Sequence, residues 1–432
     1  MTGTDAKAPG RRVLLLLAAA YVLNFLDRNI IGILALPIRK EFNLNDTALG
    51  QVGVAFGLVY AIVALPIARL ADRKRRVDVI AGAVAVWSLF TAACGMASTY
   101  GQLIAARMGV AAGEAGGIAP SYALISDHYP PAKRSRALAL FALGIPIGSA
   151  LGIFFGGWLA TKFSWRSAFL ILGLVGLPLA LMIRLLVPEA ERGRFDAQAS
   201  TSAPTLREVV AALARLPGFW LLSLGAALGS IPGYGLIFWL PSFFHRSFAL
   251  PLEQVSWFYG SIMLVGGVAG TLLGGWIGER SGEGRPARLA LIPAIAFLAA
   301  IPTYIAGLFA PNLWIAWPLF ALGQMLTLAW LGPVVAAVQH IVAPSMRATA
   351  SATFLFVNNL IGIAGGIYAL GYMSDALKAA HGEDSLRYSI LYVLIFYLLS
   401  ALIYLGAARA LRGPPSTSSV SRGSASSGQP FA

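Results

Sequence analysis

Four charged residues fall inside stretches otherwise built for hydrocarbon. Asp27 and Arg28 are adjacent in "VLLLLAAAYVLNFLDRNIIGILALPI" (13–38), and Arg107 and Glu114 lie in "ARMGVAAGEAGGIAPSYALISD" (106–127). A charge at the centre of an apolar span costs roughly 2.5 to 3.5 kcal/mol on insertion scales, so a chain that keeps four of them has a use for them. Arg107 and Glu114 are two turns apart on one helical face and point the same way, into a bundle. Burial and a neighbouring arginine act on a carboxyl group in opposite senses, so an arginine that moves switches proton affinity; Asp27 and Glu114 are therefore the candidate proton carriers. Arginine stays charged but grips phosphate or carboxylate with two parallel hydrogen bonds, which makes Arg28 and Arg107 the candidates for pairing with an anionic substrate. The competing reading is a neutral structural cluster, against which stands the observation that buried ion pairs are usually no better than apolar packing.

The elements that position these residues follow from composition. The chain has 432 residues, 58% hydrophobic and 12% charged, with mean hydropathy +0.74; a soluble protein would be about 25% charged. Apolar runs long enough to cross a bilayer begin near residues 13, 48, 77, 101, 137, 166, 217, 253, 288, 312, 347 and 386. The expectation is an all-α polytopic membrane protein with twelve transmembrane helices. The net charge of +14 is distributed by side. With an even span count, 23 of the 32 Lys and Arg fall in the termini and the loops sharing their side, including "DRKRR" (72–76), and seven fall opposite. That bias predicts cytoplasmic termini and a multi-pass protein of the plasma (cell inner) membrane, and it explains the basic excess without nucleic acid. Cys94 is the single cysteine, so no intramolecular disulfide forms. The histidines, at 128, 245, 340 and 381, lack ligand spacing, so no metal site and no cofactor is expected. The first apolar run continues past Asp27 without a cleavage site, so it reads as a retained helix.

Residues 188–216, rich in charge, Ser, Thr and Ala, divide the spans six and six, and their last part has the pattern of a short amphipathic helix. The expected organisation is an N-terminal six-helix bundle (1–187), a cytoplasmic linker (188–216), a C-terminal six-helix bundle (217–411) and a disordered tail (412–432). The halves echo each other: "ARLADRKRR" (68–76) matches "GWIGERSG" (275–282), and "KRSRALA" (133–139) matches "SMRATA" (345–350), both at a spacing near 210 residues. Duplication of a six-helix unit, giving two pseudo-symmetric bundles with a site between them, is a transporter architecture.

The loop at 68–76 resembles the major facilitator superfamily signature G-x-L-A-D-R-x-G-R-R, with Ala68 and Arg75 where the pattern has glycines; the second copy keeps both glycines and places Glu279 at the acid. "NFLDR" (24–28), the 106–127 segment, "KRSRALALFALGIPIGSALG" (133–152) and "VPE" (187–189) are similar to the Spinster branch, whose animal members carry lysolipids or sphingoid phosphates. The resemblance implies the major facilitator fold, a proton role for Asp27 and Glu114, and a pairing role for Arg28 and Arg107. It implies alternating access by a monomer in the lipid bilayer, coupled to protons and moving a lysolipid-like or other amphiphilic anion. The alternatives are a proton-coupled carrier of a small organic anion or drug and a polytopic enzyme; for the enzyme no nucleophile and acid/base set stands at a span end.

Asp72, Arg73, Glu279 and Arg347, in the repeated loops, are expected to act as a gate, with the acids accepting hydrogen bonds from a facing helix N-terminus. The C-terminal half has no deep charge, and its polar residues Tyr234, Gln324 and Asn358, with Asn24 from the first span, are candidate cavity lining. Gly144, Gly148, Gly152 and Gly156 recur every fourth residue on one face; static packing and a moving interface are both open readings.

Overall fold

The structure, a computed structural model, describes residues 7–192, 194–195, 206–282, 285–342 and 346–412, and among these it is helical without strands. Helices α1 (Lys7–Ile33), α2 (Ala35–Glu41), α3 (Asp46–Arg73), α4 (Arg76–Gly95), α5 (Tyr100–Glu114), α6 (Ile118–His128), α7 (Pro131–Ala142), α8 (Gly144–Lys162) and α9 (Trp165–Leu186) form the first bundle. Helix α10 (Leu206–Ala214) precedes the second, made of α11 (Pro217–Phe248), α12 (Leu252–Gly282), α13 (Pro286–Leu308), α14 (Leu313–Leu328), α15 (Leu331–Ile341), α16 (Arg347–His381), α17 (Ser385–Val393) and α18 (Ile395–Ala410). The expected tail, from residue 413 onward, and much of the 188–216 segment lie outside the described residues. In α10, Val209 and Leu213 are buried one turn apart, and the helix packs on α11 and α16.

Twelve spans account for these helices. The apolar stretch Thr349–Ala410 holds 62 residues, about three times the length that crosses the hydrocarbon core, and it reverses at Gly382, whose φ of +53° glycine adopts freely. The first, fourth, fifth, tenth and twelfth spans are each two helices. Pro146 and Pro333, which lack an amide hydrogen, account for the breaks at Leu143 and Ala329, each three or four residues upstream. The fourth breaks after Glu114, where Gly116 and Gly117 close three-residue turns onto Gly113 and Glu114. A Cβ at Gly113 would lie 2.5 Å from the Trp87 nitrogen, so this segment runs hard against α4.

The glycine stripe on α8 faces α1 of its own bundle. A Cβ at Gly148 would collide with the Val22 carbonyl, and one at Gly152 would lie 2.6 Å from the Leu26 carbonyl oxygen. The stripe thus lets α1 and α8 touch backbone to backbone inside one half, a packing contact, and toward the other half α8 presents Pro146, Phe154 and Gly157, the last against Ser256 of α12.

The halves meet where α3 packs on α16, α8 on α12 and α1 on α11. They are latched at the end opposite the termini. Asp46, the first residue of α3, receives two hydrogen bonds from Arg246 at 2.6 and 2.7 Å and one from Ser374 at 2.7 Å, and pairs with Arg39 at 3.3 Å. Asp375 accepts from the backbone amides of Asp46 (3.2 Å) and Thr47 (2.7 Å) and from the Thr47 hydroxyl (2.6 Å). A carboxylate from one half thus satisfies the free amides at the N-terminus of a helix in the other.

Candidate functional site

All four deep charges converge in the N-terminal bundle. Glu114, at the end of α5, is fully buried, and its Oε2 accepts from Arg28 Nε at 2.9 Å and Nη2 at 2.6 Å. Arg28 Nη2 also lies 3.5 Å from Asn24 Oδ1. Asp27 and Arg28, opposite in charge and adjacent in sequence, are not partners, because successive helical residues diverge by about 100°. Arg28 faces Glu114 and the space between the halves; Asp27 faces α4, beside Trp87 and Thr91, and neither of its carboxylate oxygens has a closed hydrogen bond.

Arg107 makes no ion pair among the described residues. Its Nη1 donates to the Asp27 carbonyl at 2.9 Å and its Nη2 reaches the Arg28 carbonyl at 3.5 Å, so its charge sits at the α1 backbone between the two carboxyl groups. Aromatic faces hold both arginines. The Arg28 guanidinium lies 4.9 Å from the Phe25 ring, 5.2 Å from Tyr60 and 5.5 Å from Phe56, and the Arg107 guanidinium lies 5.1 Å from the same Phe56 ring. Such contacts recover part of the lost hydration of a buried cation.

A cavity of about 30 Å³ lies between the halves, walled by Arg28, Phe56 and the tip of Arg107 on one side and Tyr234, Phe238 and Ile367 on the other. That is room for about two water molecules. One wall carries the charge, and the other is apolar apart from Tyr234, whose hydroxyl donates to Asn359 at 3.2 Å.

Asn24 lines a smaller space within the N-terminal bundle with Trp87, Tyr21 and Ser121, not the central cavity. Asn358 accepts from Ser230 at 2.7 Å, an interhelical bond inside the C-terminal bundle. Gln324 is buried within that bundle, its Cβ against Gly266 of α12, and it too is absent from the cavity wall. These corrections share one cause: each side chain lies on the face of its helix turned to a neighbour in the same half. Of the gate residues, the side chains of Asp72 and Arg347 lie outside the described residues. Arg73 and Glu279 are exposed, and among the described residues neither is ion-paired.

Asp46, Arg246, Ser374 and Asp375, which close the latched end, are not among the residues that stand out in the sequence. A signal was present: only seven basic residues lie on that side, and two of them, Arg39 and Arg246, converge on Asp46. Trp87 and Thr91 carried none, being an aromatic and a hydroxyl in an otherwise apolar span.

Twelve membrane-crossing helices in two matched bundles, with a charged cavity at their seam, define the secondary-transporter architecture. The family model for the Major Facilitator Superfamily matches residues 17–366, and the chain belongs to that superfamily, as a Spinster-like transporter and not an enzyme. It is 34% identical over 403 residues to an MFS-type efflux pump of Mycolicibacterium smegmatis, covering 92% of each chain. It is 29% identical over 396 residues to protein spinster homolog 1 of Homo sapiens, covering 86% of this chain and 74% of that one. A crystal structure of a bacterial homolog of the human lysosomal transporter Spinster, inward-facing and unoccupied, is similar with TM-score 0.83 at 30% identity, covering 94% of this chain and 98% of the other.

Proposed function

We propose that this transporter is proton-coupled and moves an amphiphilic anion of lysolipid type by alternating access. The observation that carries the reading is the buried Arg28–Glu114 pair at the cavity wall, with the unpaired Asp27 carboxyl one residue away and Arg107 on the backbone between them. An anionic headgroup that draws Arg28 from Glu114 leaves a buried carboxylate without its cation, which is costly unless a proton takes the cation's place. Substrate and proton binding are thereby linked. The apolar wall formed by Phe238 and Ile367 suits an acyl chain beside a headgroup held by arginine.

The arrangement reads as a state closed at the latched end, which we assign to the extracellular side from the bias of basic residues; both termini and the 188–216 linker are then cytoplasmic and the membrane is the plasma (cell inner) membrane. Residues 1–187 and 217–411 are the two units that rock about the seam, in a single copy of the chain. Asp72, Arg73, Glu279 and Arg347 are the proposed gate of the cytoplasmic side. A second reading, export of a small organic anion or drug, is favoured by the likeness to the M. smegmatis efflux pump.

The test is flux in proteoliposomes with an imposed pH gradient, using a lysophospholipid and a set of small organic acids and drugs in parallel. Asp27→Asn and Glu114→Gln are expected to abolish gradient-driven flux while melting near the wild-type temperature. Loss of flux that tracks loss of melting temperature across Asp27, Arg28, Arg107 and Glu114 variants would make the cluster structural. Flux of the small compounds but not the lysolipid selects the second reading.

A further inference from the structure

Asp27 is not among the residues lining the cavity between the halves; its carboxyl group has α5 beside it with the charges of Glu114 and Arg107, and α4 beside it with Trp87 and Thr91. Trp87 and Thr91 are one helical turn apart on α4, both buried, and both lie beside that carboxyl. Each has one side-chain hydrogen-bond donor, the indole Nε1 and the hydroxyl Oγ1, and neither donor is closed onto any acceptor. The two carboxylate oxygens are likewise open. Buried donors and acceptors left open beside each other are rare in proteins, and a small approach of α1 to α4 would close both bonds.

Of the other groups around Asp27, the Arg107 Nη atoms on α5 reach the carbonyls of residues 27 and 28 while its Nε stays open, Glu114 is held by Arg28 through Oε2 alone, and on α1 itself the Asn24 carbonyl oxygen lies 3.5 Å from Arg28 with its amide nitrogen open. On α4, one turn beyond Thr91, Cys94 is buried and has Arg107 and Asp27 as its charged neighbours. Trp87 is fixed in place by the glycine break of the fourth span: Gly113 runs against its backbone and Gly117 against its ring.

We propose that Trp87 and Thr91 are positioning residues for proton coupling, a donor pair on α4 that holds the ionised Asp27 carboxylate and sets the pH at which it gains its proton. This rests on the reading of Asp27 as a proton carrier. The indole N–H can only donate and the Thr91 hydroxyl supplies a second donor, so together they match the two oxygens of an ionised carboxylate and favour that state. Closing the pair draws α1 toward α4 and away from the seam, which joins the proton site to the wall that carries Arg28.

The test follows the infrared carbonyl stretch of protonated Asp27 in proteoliposomes without substrate, identified by its loss in Asp27→Asn. Thr91→Val, which keeps the shape and removes the donor, is expected to move the titration midpoint of that band to higher pH by about one unit. Trp87→Phe is expected to move it in the same sense, and Thr91→Ser to restore the wild-type midpoint. Band and midpoint unchanged in Thr91→Val and Trp87→Phe, or no titrating band assignable to Asp27, overturns the proposal. A shifted midpoint together with pH-driven flux that survives Asp27→Asn leaves the donor pair standing and removes the coupling reading instead.

Discussion

Removing the charge of Asp46 should open the latched end. Asp46 and Arg246 are nearly enclosed, with side chains 3% and 9% exposed, and are joined by two hydrogen bonds at 2.6 and 2.7 Å. Asp46→Asn keeps the volume but strands Arg246 and weakens the contact with Arg39. Taking one partner from a buried ion pair costs about 3 to 5 kcal/mol, and the low end is appropriate here because Arg246 reaches water once the halves part. Because the pair joins the two halves, that cost falls only on the closed arrangement, so about 3 kcal/mol changes the ratio of closed to open by a factor of about 150. The assay is the distance between spin labels at Lys162 and Lys378, exposed positions of the two halves near that end, in a Cys94→Ser background. A new, longer distance population in Asp46→Asn, reproduced by Arg246→Gln and absent from Glu253→Gln, is the expected result. An unchanged distribution would show that the packing of α3 on α16 closes this end by itself and that the charge pair contributes nothing measurable.

Two further predictions concern stability. Glu189 lies outside the membrane spans; burial pushes its carboxyl up, but the Val77 amide at 3.0 Å and the Arg76 guanidinium at 3.1 Å together outweigh this and hold it below the ordinary glutamate range. Its contribution to stability is therefore complete above about pH 4.3 and is lost as the pH falls toward its lowered value, so melting temperature should decline in that acid window in wild type and less in Glu189→Gln. Gly148→Ala should lower stability by about 1 to 3 kcal/mol by driving a methyl group into the Val22 carbonyl, whereas Gly82→Ala, with open space around its Cα, should melt as wild type; equal melting temperatures would contradict the tight α1–α8 contact.

Hydropathy made the spans legible, because crossing lipid is a requirement each segment meets alone. The helix starts at 46, 76, 100, 165, 217, 252, 286, 313 and 385 fall within two residues of the runs that predict them. The four deep charges were legible for the same reason: a charge in an apolar segment is an exception visible without knowing its neighbours. Partnership was not legible. Glu114 lies 86 positions from Arg28, and nothing local in either segment states that Arg28 takes Glu114 while Arg107 takes backbone carbonyls. The same limit explains Gln324 and Asn358, since a polar residue in a span looks alike whether it faces a cavity or a sister helix.

The latch shows where the limit can be moved. Near a span end a charge carries little information, since water is close and its cost is small, so Asp46 and Arg246 looked ordinary. Their setting was less so. Asn45 caps α3 by accepting from the Ala48 amide at 2.8 Å, which fixes the helix start and leaves the amides of residues 46 and 47 pointing outward without intrahelical partners. Within one bundle those amides would be met by water or a local side chain. In this protein they are met by Asp375, more than three hundred residues away, and the acid at the helix start is met by a base at the end of another span. A capped helix start, an acid in its first turn and a scarce base on the same side are each weak signals. Together they describe a closure that an alternating-access protein needs at one end, and they place its energetic weight on residues that hydropathy alone passes over.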